Sequence, residues 1–404
     1  MNYPFSGIVV RYLRDQATEQ SDNDVQDQLH VNLWDIADKS YLDIGLMVSD
    51  PSGINAIWID LPWHARRSHL IDLGPGLDGD KLLTAIFNEV ATYEGASDAH
   101  YAVVTLNNPS HPSHKGDSFL VVRLDSRKIE HSHLTIDGQS EVTRFCIKWP
   151  ELNYSKEEHK GFWRYIRLRI TNVPRDVFFA TFRPKDRTLL SSSVVTRLLD
   201  FRVNVRRGVP DQVLLGEARL EFPRLKKIHV FAIVPRETEL PFHSEGYKGC
   251  RSLEDEEIWN GYINLPYRSH GQNGETVKNY LGYQWTAASK KPDTPVKDLV
   301  ALGRFVHVTS TRSTNTRFVI VVALLGTLGS AIWDVVKGYF ITRAGTHSDT
   351  DPTWRQLFLW LLLPAVVLVL LMLVDRATLN DLASRVKRTW IKTRDTVSEW
   401  WASR

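Results

Sequence analysis

Cysteine is nearly absent. Only Cys146 and Cys250 occur in 404 residues, which excludes a disulfide framework and a four-cysteine zinc site and fits a reducing compartment. An excess of one charge is missing as well: 50 Lys+Arg against 47 Asp+Glu leave a net +3, a balance that by itself points to no particular partner. Met1 to Arg14 shows no basic segment followed by an apolar run of signal-peptide length, so the head is expected to stay where it is synthesised. No Gly-x-Ser-x-Gly elbow, P-loop, dinucleotide fingerprint or His-Glu-x-x-His occurs, and the sequence therefore names no catalytic residue and no cofactor. Gly74 to Gly79 (GPGLDG) resembles a phosphate-cradling turn before a helix but lacks the Lys-Ser/Thr ending.

What is present is distributed unevenly. Hydrophobic residues at 43% and charged residues at 24% are ordinary for a globular chain and exclude wholesale disorder or a fibrous repeat. The mean hydropathy of −0.25 describes a soluble protein, yet apolar residues are concentrated between Phe318 and Val374. The first run, Phe318 to Trp333, is sixteen residues without a charge and continues past Asp334 and Lys337 to Ile341. The second, Leu357 to Val374, is eighteen residues without a charge and contains Pro364, which is expected to kink it. A membrane core of about 30 Å needs roughly 20 helical residues. Two helices, about 318–341 and 356–374, are therefore expected to form a transmembrane hairpin across the short polar turn Thr342 to Arg355. Asp334 and Lys337, three residues apart, would pair and reach toward the headgroups or line a helix seam, and Gly326 and Ser330 would allow close helix approach.

Positive charge gathers in two places. Arg164 to Arg207 carries eleven bases against three acids, and Arg376 to Arg404 seven against three. Arg304, Arg312 and Arg317 precede the first run, and the second basic cluster follows the second run. The positive-inside rule then puts both termini on the cytoplasmic side, as for a two-pass protein of a bacterial inner membrane. In the tail, Leu379, Leu382, Val386, Trp390, Val397 and Trp401 recur at helical spacing. This predicts an amphipathic helix over 377–404 lying on an anionic inner leaflet, with Arg385, Lys387, Arg388 and Lys392 at the surface and Trp400 and Trp401 as anchors. The same apolar stripe would also suit packing on the head or on a neighbouring subunit.

Before residue 305 the chain reads as short alternating or β-branched runs, such as Tyr41 to Val48, Ile54 to Leu61 and Phe162 to Ile170, with one helix from Gly79 to Tyr93. The fold class is β-rich α+β, expected as two mixed-sheet or sandwich-like units, 1–155 and 156–305, the boundary lying at the polar Pro150 to Lys160. Thr286 to Thr316 reads as the approach to the membrane, with 306–316 as the connector proper. Ile59 to His69 (IDLPWHARRSH) and Ile263 to His270 (INLPYRSH) echo each other, as two copies of a duplicated unit would. Trp58, Trp63, Trp149, Trp163 and Trp259 are expected in a core or seam.

Two clusters carry candidate chemistry. Arg167 and Arg169 alternate with Ile166, Leu168 and Ile170, and Arg202 alternates with Phe201 and Val203. A cationic strand face is therefore expected, on which Arg164, Arg167, Arg169, Arg183, Arg202, Arg206 and Arg207 bind a polyanion such as a nucleotide, a nucleic-acid backbone or lipid headgroups. The rival reading is a charged face kept for solubility or paired with Glu254 to Glu257. His131 and His133, at i and i+2 of a strand, share a face and are weak candidates for metal ligands, with His111 or His114 reaching over from their loop and Asp117 or Glu130 adding an oxygen.

These features predict a cytoplasmic sensor or effector whose β-rich head recognises a ligand or partner and controls association of membrane hairpins. Any pore would need a homo-oligomer, since two helices cannot enclose a channel. In layout the chain resembles bacterial effectors that pair a soluble sensor with a few membrane helices, as in antiphage defence. A membrane-tethered scaffold that docks proteins, or a membrane-bound enzyme using the histidine cluster, would share this layout.

Overall fold

The computed structural model describes residues 3–14, 27–36, 39–51, 53–95, 100–107, 117–138, 140–149, 159–182, 193–215, 220–253, 255–265, 277–291, 294–309 and 312–343. In chain order the strands are β1 Val9–Arg14, β2 Asp27–Ile36, β3 Lys39–Val48, β4 Ile54–Leu61, β5 Leu70–Asp72, β6 Val90–Tyr93, β7 Tyr101–Asn107, β8 Asp117–Val122, β9 Glu130–Ile136 and β10 Ser140–Lys148. They continue as β11 Trp163–Ile170, β12 Phe179–Phe182, β13 Ser193–Val203, β14 Leu220–Glu221, β15 Leu225–Pro235, β16 Thr238–His243, β17 Tyr247–Ser252, β18 Tyr280–Ala288 and β19 Leu299–Thr309. The helices are α1 Asp80–Phe87, α2 Arg175–Phe178, α3 Asp211–Leu214, α4 Glu256–Ile263 and α5 Arg312–Arg343. The head is thus β-rich with a few helices.

The chain divides into two compact units, Met1–Phe182 with Thr196–Val306, and Arg183–Val195 with His307–Arg404. In the first unit a five-stranded sheet runs β14-β1-β4-β10-β9 and a ten-stranded sheet runs β17-β18-β15-β2-β3-β11-β8-β7-β6, with β5 beside β11. A four-stranded sheet runs β12-β13-β19-β16. Most pairings are antiparallel, but β2 runs parallel to β15 and β8 parallel to β11. Strands from both sides of residue 155 share the large sheet, so the head does not divide there into an N-terminal and a C-terminal half.

The large sheet is covered on both faces. Leu29, Val31 and Leu33 of β2, with Ile44 of β3 and Ile166 and Leu168 of β11, pack against Tyr12, Ile57, Ile59 and Phe145 of the five-stranded sheet. On the opposite face Trp34, Met47, Phe119 and Tyr165 pack against Leu83 of α1 and Trp259 and Tyr262 of α4. The order of layers is sheet, sheet, helices. Each of these fully buried large apolar side chains contributes about 1.5–3 kcal/mol relative to exposure. A sheet covered on both sides reads as nearly continuous burial along its central strands, as on β11, where Arg164 to Ile170 are all buried.

Several expected elements change. The helix expected to reach Tyr93 ends at Phe87, because Asn88 takes a left-handed conformation (φ 57°) that caps it, and the chain turns into β6. The connector expected over Thr286 to Thr316 includes the end of β18, the whole of β19, with Leu299, Ala301 and Phe305 buried, and the start of α5. The sequence echo has no structural counterpart, since Ile59 lies on a strand and Ile263 ends a helix.

In the second unit α5 carries the first apolar run on 32 helical residues, with Gly326, Ser330, Asp334 and Lys337 exposed along it. Among the described residues no helix is long and apolar enough to cross a membrane. The second run with Pro364 and the tail with Arg385, Lys387, Arg388, Lys392, Trp400 and Trp401 lie outside the described residues.

Candidate functional site

The helix-covered face of the large sheet is unusually polar at its centre. Register aligns Thr286, His229, His30, Gly45 and Arg167 in one cross-strand row, and Gln284, Phe231, Asn32, Asp43 and Arg169 in the next. Side chains at alternate positions of a strand share a face, so both rows lie under the helices. Gly45 is what lets them close up: a Cβ there would collide with the Tyr165 hydroxyl and press on Arg167 Nη1 at 3.1 Å.

Asp43, fully buried, anchors the second row. Its Oδ1 accepts from Arg169 Nε (2.7 Å), and its Oδ2 accepts from Arg169 Nη2 (3.0 Å), Trp34 Nε1 (2.8 Å) and the Tyr262 hydroxyl (2.6 Å). Burial alone would raise the Asp43 carboxyl, but the charge and hydrogen bonds of Arg169 hold it below the usual carboxylate range. Arg169 Nη1 also donates to the carbonyls of Ile263 (2.8 Å) and Tyr262 (3.2 Å). These carbonyls lie at the C-terminal end of α4, that of Tyr262 also accepting from Leu265 N (3.2 Å), and a cation there complements the helix dipole. The ion pair thus pins α4 to the sheet.

Arg167 lies one row away and is equally buried. Its Nε donates to the Tyr262 hydroxyl (2.6 Å) and its Nη1 to the Tyr165 hydroxyl (2.7 Å). With the Asn32 amide turned to suit its neighbours, Asn32 Oδ1 accepts from Arg167 Nη2 (2.8 Å). Among the described residues no carboxylate touches it directly. A guanidinium has five N–H donors, so Arg167 retains donors beyond these three bonds.

Arg167 forms part of the lining of a cavity of about 730 Å³ between the sheet and the ends of α1 and α4. Phe87, Phe119, Trp163, Phe231 and Trp259 supply its aromatic walls, Arg167, Arg251, Lys226 and Lys227 its cations, and Glu89 its one acid. Arg251 of β17 lies 5.0 Å from the Phe231 ring centre, donates to Asn88 Oδ1 (3.2 Å) and Ala85 O (3.4 Å), and keeps a buried Nε–H with no partner. Burial lowers its pKa. His30 and His229 stand 5.4 Å apart between ring centres. Burial, with repulsion from His229, Arg167 and Lys227, drives His30 well below its ordinary pKa; burial and Lys227 push His229 down to about 3. Both rings are therefore neutral at pH 7. His229 Nδ1 faces Gln284 Nε2 (3.1 Å) and the Thr286 hydroxyl (2.8 Å), a setting that makes Nδ1 the acceptor and leaves the ring proton on Nε2.

The arginines expected on one exposed cationic face are distributed otherwise. Arg167 and Arg169 do share a face, but α4 covers it, which the alternation could not reveal. Arg164 is buried and donates to the Phe162 carbonyl. Arg202 pairs with Asp200 two residues away (2.9 and 2.8 Å), Arg206 lies over Phe222 (4.5 Å), and Arg207 is exposed in a turn. Arg183, His111 and His114 lie outside the described residues. The glycine-rich turn opens on a groove carrying Asp78, Asp80 and Glu257, which would repel a phosphate. Sequence reasoning missed His30, His229, Arg251, Asn32 and Gln284. The one local signal was the alternation Gln28-Leu29-His30-Val31-Asn32-Leu33, which marks a strand but not the covering of its polar face.

No protein-family model matches the chain, and no curated protein matches it in sequence.

Proposed function

We propose that the chain is a membrane-anchored sensor or effector whose head binds a small anionic ligand, a phosphorylated compound with a planar ring, in the cavity beside Arg167 and Arg251. The observation that carries this reading is the unbalanced lining: four basic side chains against one acid, one of them with a buried N–H that has no acceptor. A buried N–H without an acceptor is costly, and phosphate oxygens are the acceptors a guanidinium fork fits best. The aromatic walls suit a flat ring, and the volume falls in the range of small-molecule sites, about 300–1,000 Å³. A nucleic-acid backbone needs an open track instead.

Support for the membrane anchor is the apolar surface of α5. Val319, Val322, Leu325, Ile332 and Trp333 are all more than half exposed. Sixteen uncharged residues span about 24 Å at 1.5 Å per residue, so Asp334 and Lys337 would fall at the boundary of a core of about 30 Å. Occupancy of the head would then bias how hairpins associate, and an oligomer would permeabilise the bilayer.

The test is ion leakage from proteoliposomes holding the full chain, titrated with nucleotides, inorganic phosphate, oligonucleotides and anionic lipids, with Arg251→Met and Lys227→Met in parallel. Leakage driven by nucleotides and lost in both variants is the expected result. Nucleotide binding without leakage would turn the reading to a tethered scaffold, and the absence of nucleotide or phosphate binding would overturn it.

A further inference from the structure

A second cluster lies in the five-stranded sheet, away from the cavity. After β4 the segment Trp63-His64-Ala65 crosses β10 and β9. Thr143 of β10 is fully buried, and its hydroxyl donates to Trp63 O (2.8 Å) and accepts from Ala65 N (2.8 Å). His131 of β9 holds Ala65 O through Nε2 at 2.8 Å. The backbone is thus tied on both sides of His64, whose ring stacks on His133 at 4.4 Å and 16°. His64 Nδ1 also meets Glu141 Oε2 at 2.6 Å. Glu141 and Thr143 occupy alternate positions of β10, and Thr143 stands opposite His133, so all three side chains share one face.

We propose that His64, His133 and Glu141 form a binding site for a transition-metal dication of the zinc class, with water completing the coordination.

The ligand atoms of these three residues lie within 4.8 Å of one another. Bonds of about 2.0–2.1 Å at tetrahedral angles put ligands about 3.4 Å apart, so shifts on the order of 1 Å bring the set to a metal. His64 and Glu141 are each half exposed and have that freedom. The metal takes the place of the proton shared between His64 Nδ1 and Glu141 Oε2, and that proton leaves to solvent.

The tautomer of His133 is the second line of support. Because the Thr143 hydroxyl has given its only hydrogen to Trp63 O, it can only accept from His133 Nδ1 (3.3 Å). His133 therefore carries its proton on Nδ1 and presents the Nε2 lone pair, the arrangement that metal-ligating histidines take from a hydrogen-bonded neighbour. A His64–Glu141 ion pair alone would need neither the stacked second imidazole nor its fixed tautomer. Two imidazoles and one carboxylate suit zinc, cobalt or nickel and disfavour magnesium or calcium.

The experiment uses the full-length protein without a polyhistidine tag, stripped with a chelator and titrated with Zn²⁺ against a chromophoric competitor and with Co²⁺ alone. One tight equivalent of zinc is expected, together with a visible cobalt d–d band of low coordination number. His133→Ala and Glu141→Gln should each weaken zinc binding at least tenfold and remove the band. Zinc should raise the melting temperature of the wild type and not of the variants. These side chains are exposed, so metal-free variants should melt as the wild type does. The absence of a stoichiometric site, or zinc binding unchanged in both variants, would overturn the proposal.

Discussion

Replacing Asp43 by Asn tests whether the buried ion pair holds the helix layer to the large sheet. The substitution keeps the side-chain shape but removes the charge facing Arg169 and one of two acceptor oxygens, which together receive four hydrogen bonds. Both partners are about 1% exposed or less, so solvent cannot take over the guanidinium. Breaking a buried pair by removing one member costs about 3–5 kcal/mol. For a unit of this size each kcal/mol moves the melting temperature by about 2–4 °C, so a fall of about 6–20 °C is expected for Asp43→Asn, read by near-ultraviolet circular dichroism. Arg169→Met should fall comparably. The double variant Asp43→Asn/Arg169→Met leaves no orphaned charge and should lose less than the sum of the singles, with a coupling of about 0.5–3 kcal/mol. Asp125→Asn, which breaks the exposed Asp125–Arg127 pair, should leave melting unchanged. The reasoning fails if Asp43→Asn melts with the wild type, or if the double variant is strictly additive.

Two further outcomes follow from the same face of the sheet. His30 and His229 have folded pKa values below the ordinary 6.5, so the unfolded chain takes up their protons first. The stability due to the neutral rings is therefore complete above pH 6.5 and falls as pH drops below it, for His229 by about 1.4 kcal/mol per pH unit down to about 3; His229→Phe should flatten this slope in denaturant titrations, and an unchanged slope would contradict the assignment. Gly45→Ala should destabilise by about 1–3 kcal/mol through its collision with the Tyr165 hydroxyl, and Tyr165→Phe should recover part of that loss; a Gly45→Ala protein of wild-type stability would show that the two rows tolerate a side chain there.

Local chemistry was legible where it decides local structure. Alternation in Tyr41 to Val48, Ile54 to Leu61 and Phe162 to Ile170 marks strands that the structure contains, and it separated Arg167 and Arg169 from Ile166 and Leu168 correctly. Which face meets water is not a local property. The covering of Arg167 comes from α4, about 95 residues on, and that of His30 from Phe87 of α1. A strand with one polar face reads identically whether solvent or a helix lies above it. For the same reason β2 was overlooked, since its polar positions weaken the apolar run that announces a buried strand. His131 and His133 were legible as a pair because i and i+2 is a strand rule, whereas His64 and Glu141 joined them only through tertiary contacts.

Among the described residues the fully buried carboxylates Asp60 and Asp43 each sit in an arginine network. In the five-stranded sheet Asp60 receives Arg11 Nη2 (2.7 Å) and Arg144 Nε (2.6 Å), and the two guanidiniums donate on to the carbonyls of Val213 and Leu214 at the end of α3. Asp43 and Arg169 repeat that device at the end of α4. Buried ion pairs are poor contributors to net stability, and apolar side chains of equal volume often do as well. Fixing a helix end accounts for the Asp60 network, which does not line the cavity beside Arg167. It accounts for Arg169 too. It does not account for Arg167, which among the described residues touches no carboxylate and no helix-end carbonyl, stays fully buried, and bonds to Tyr165, Tyr262 and Asn32. Arg251, lining the same cavity, keeps a buried Nε–H without an acceptor, and under the proposed reading an anion bound there would offset the cost of leaving that donor unpaired.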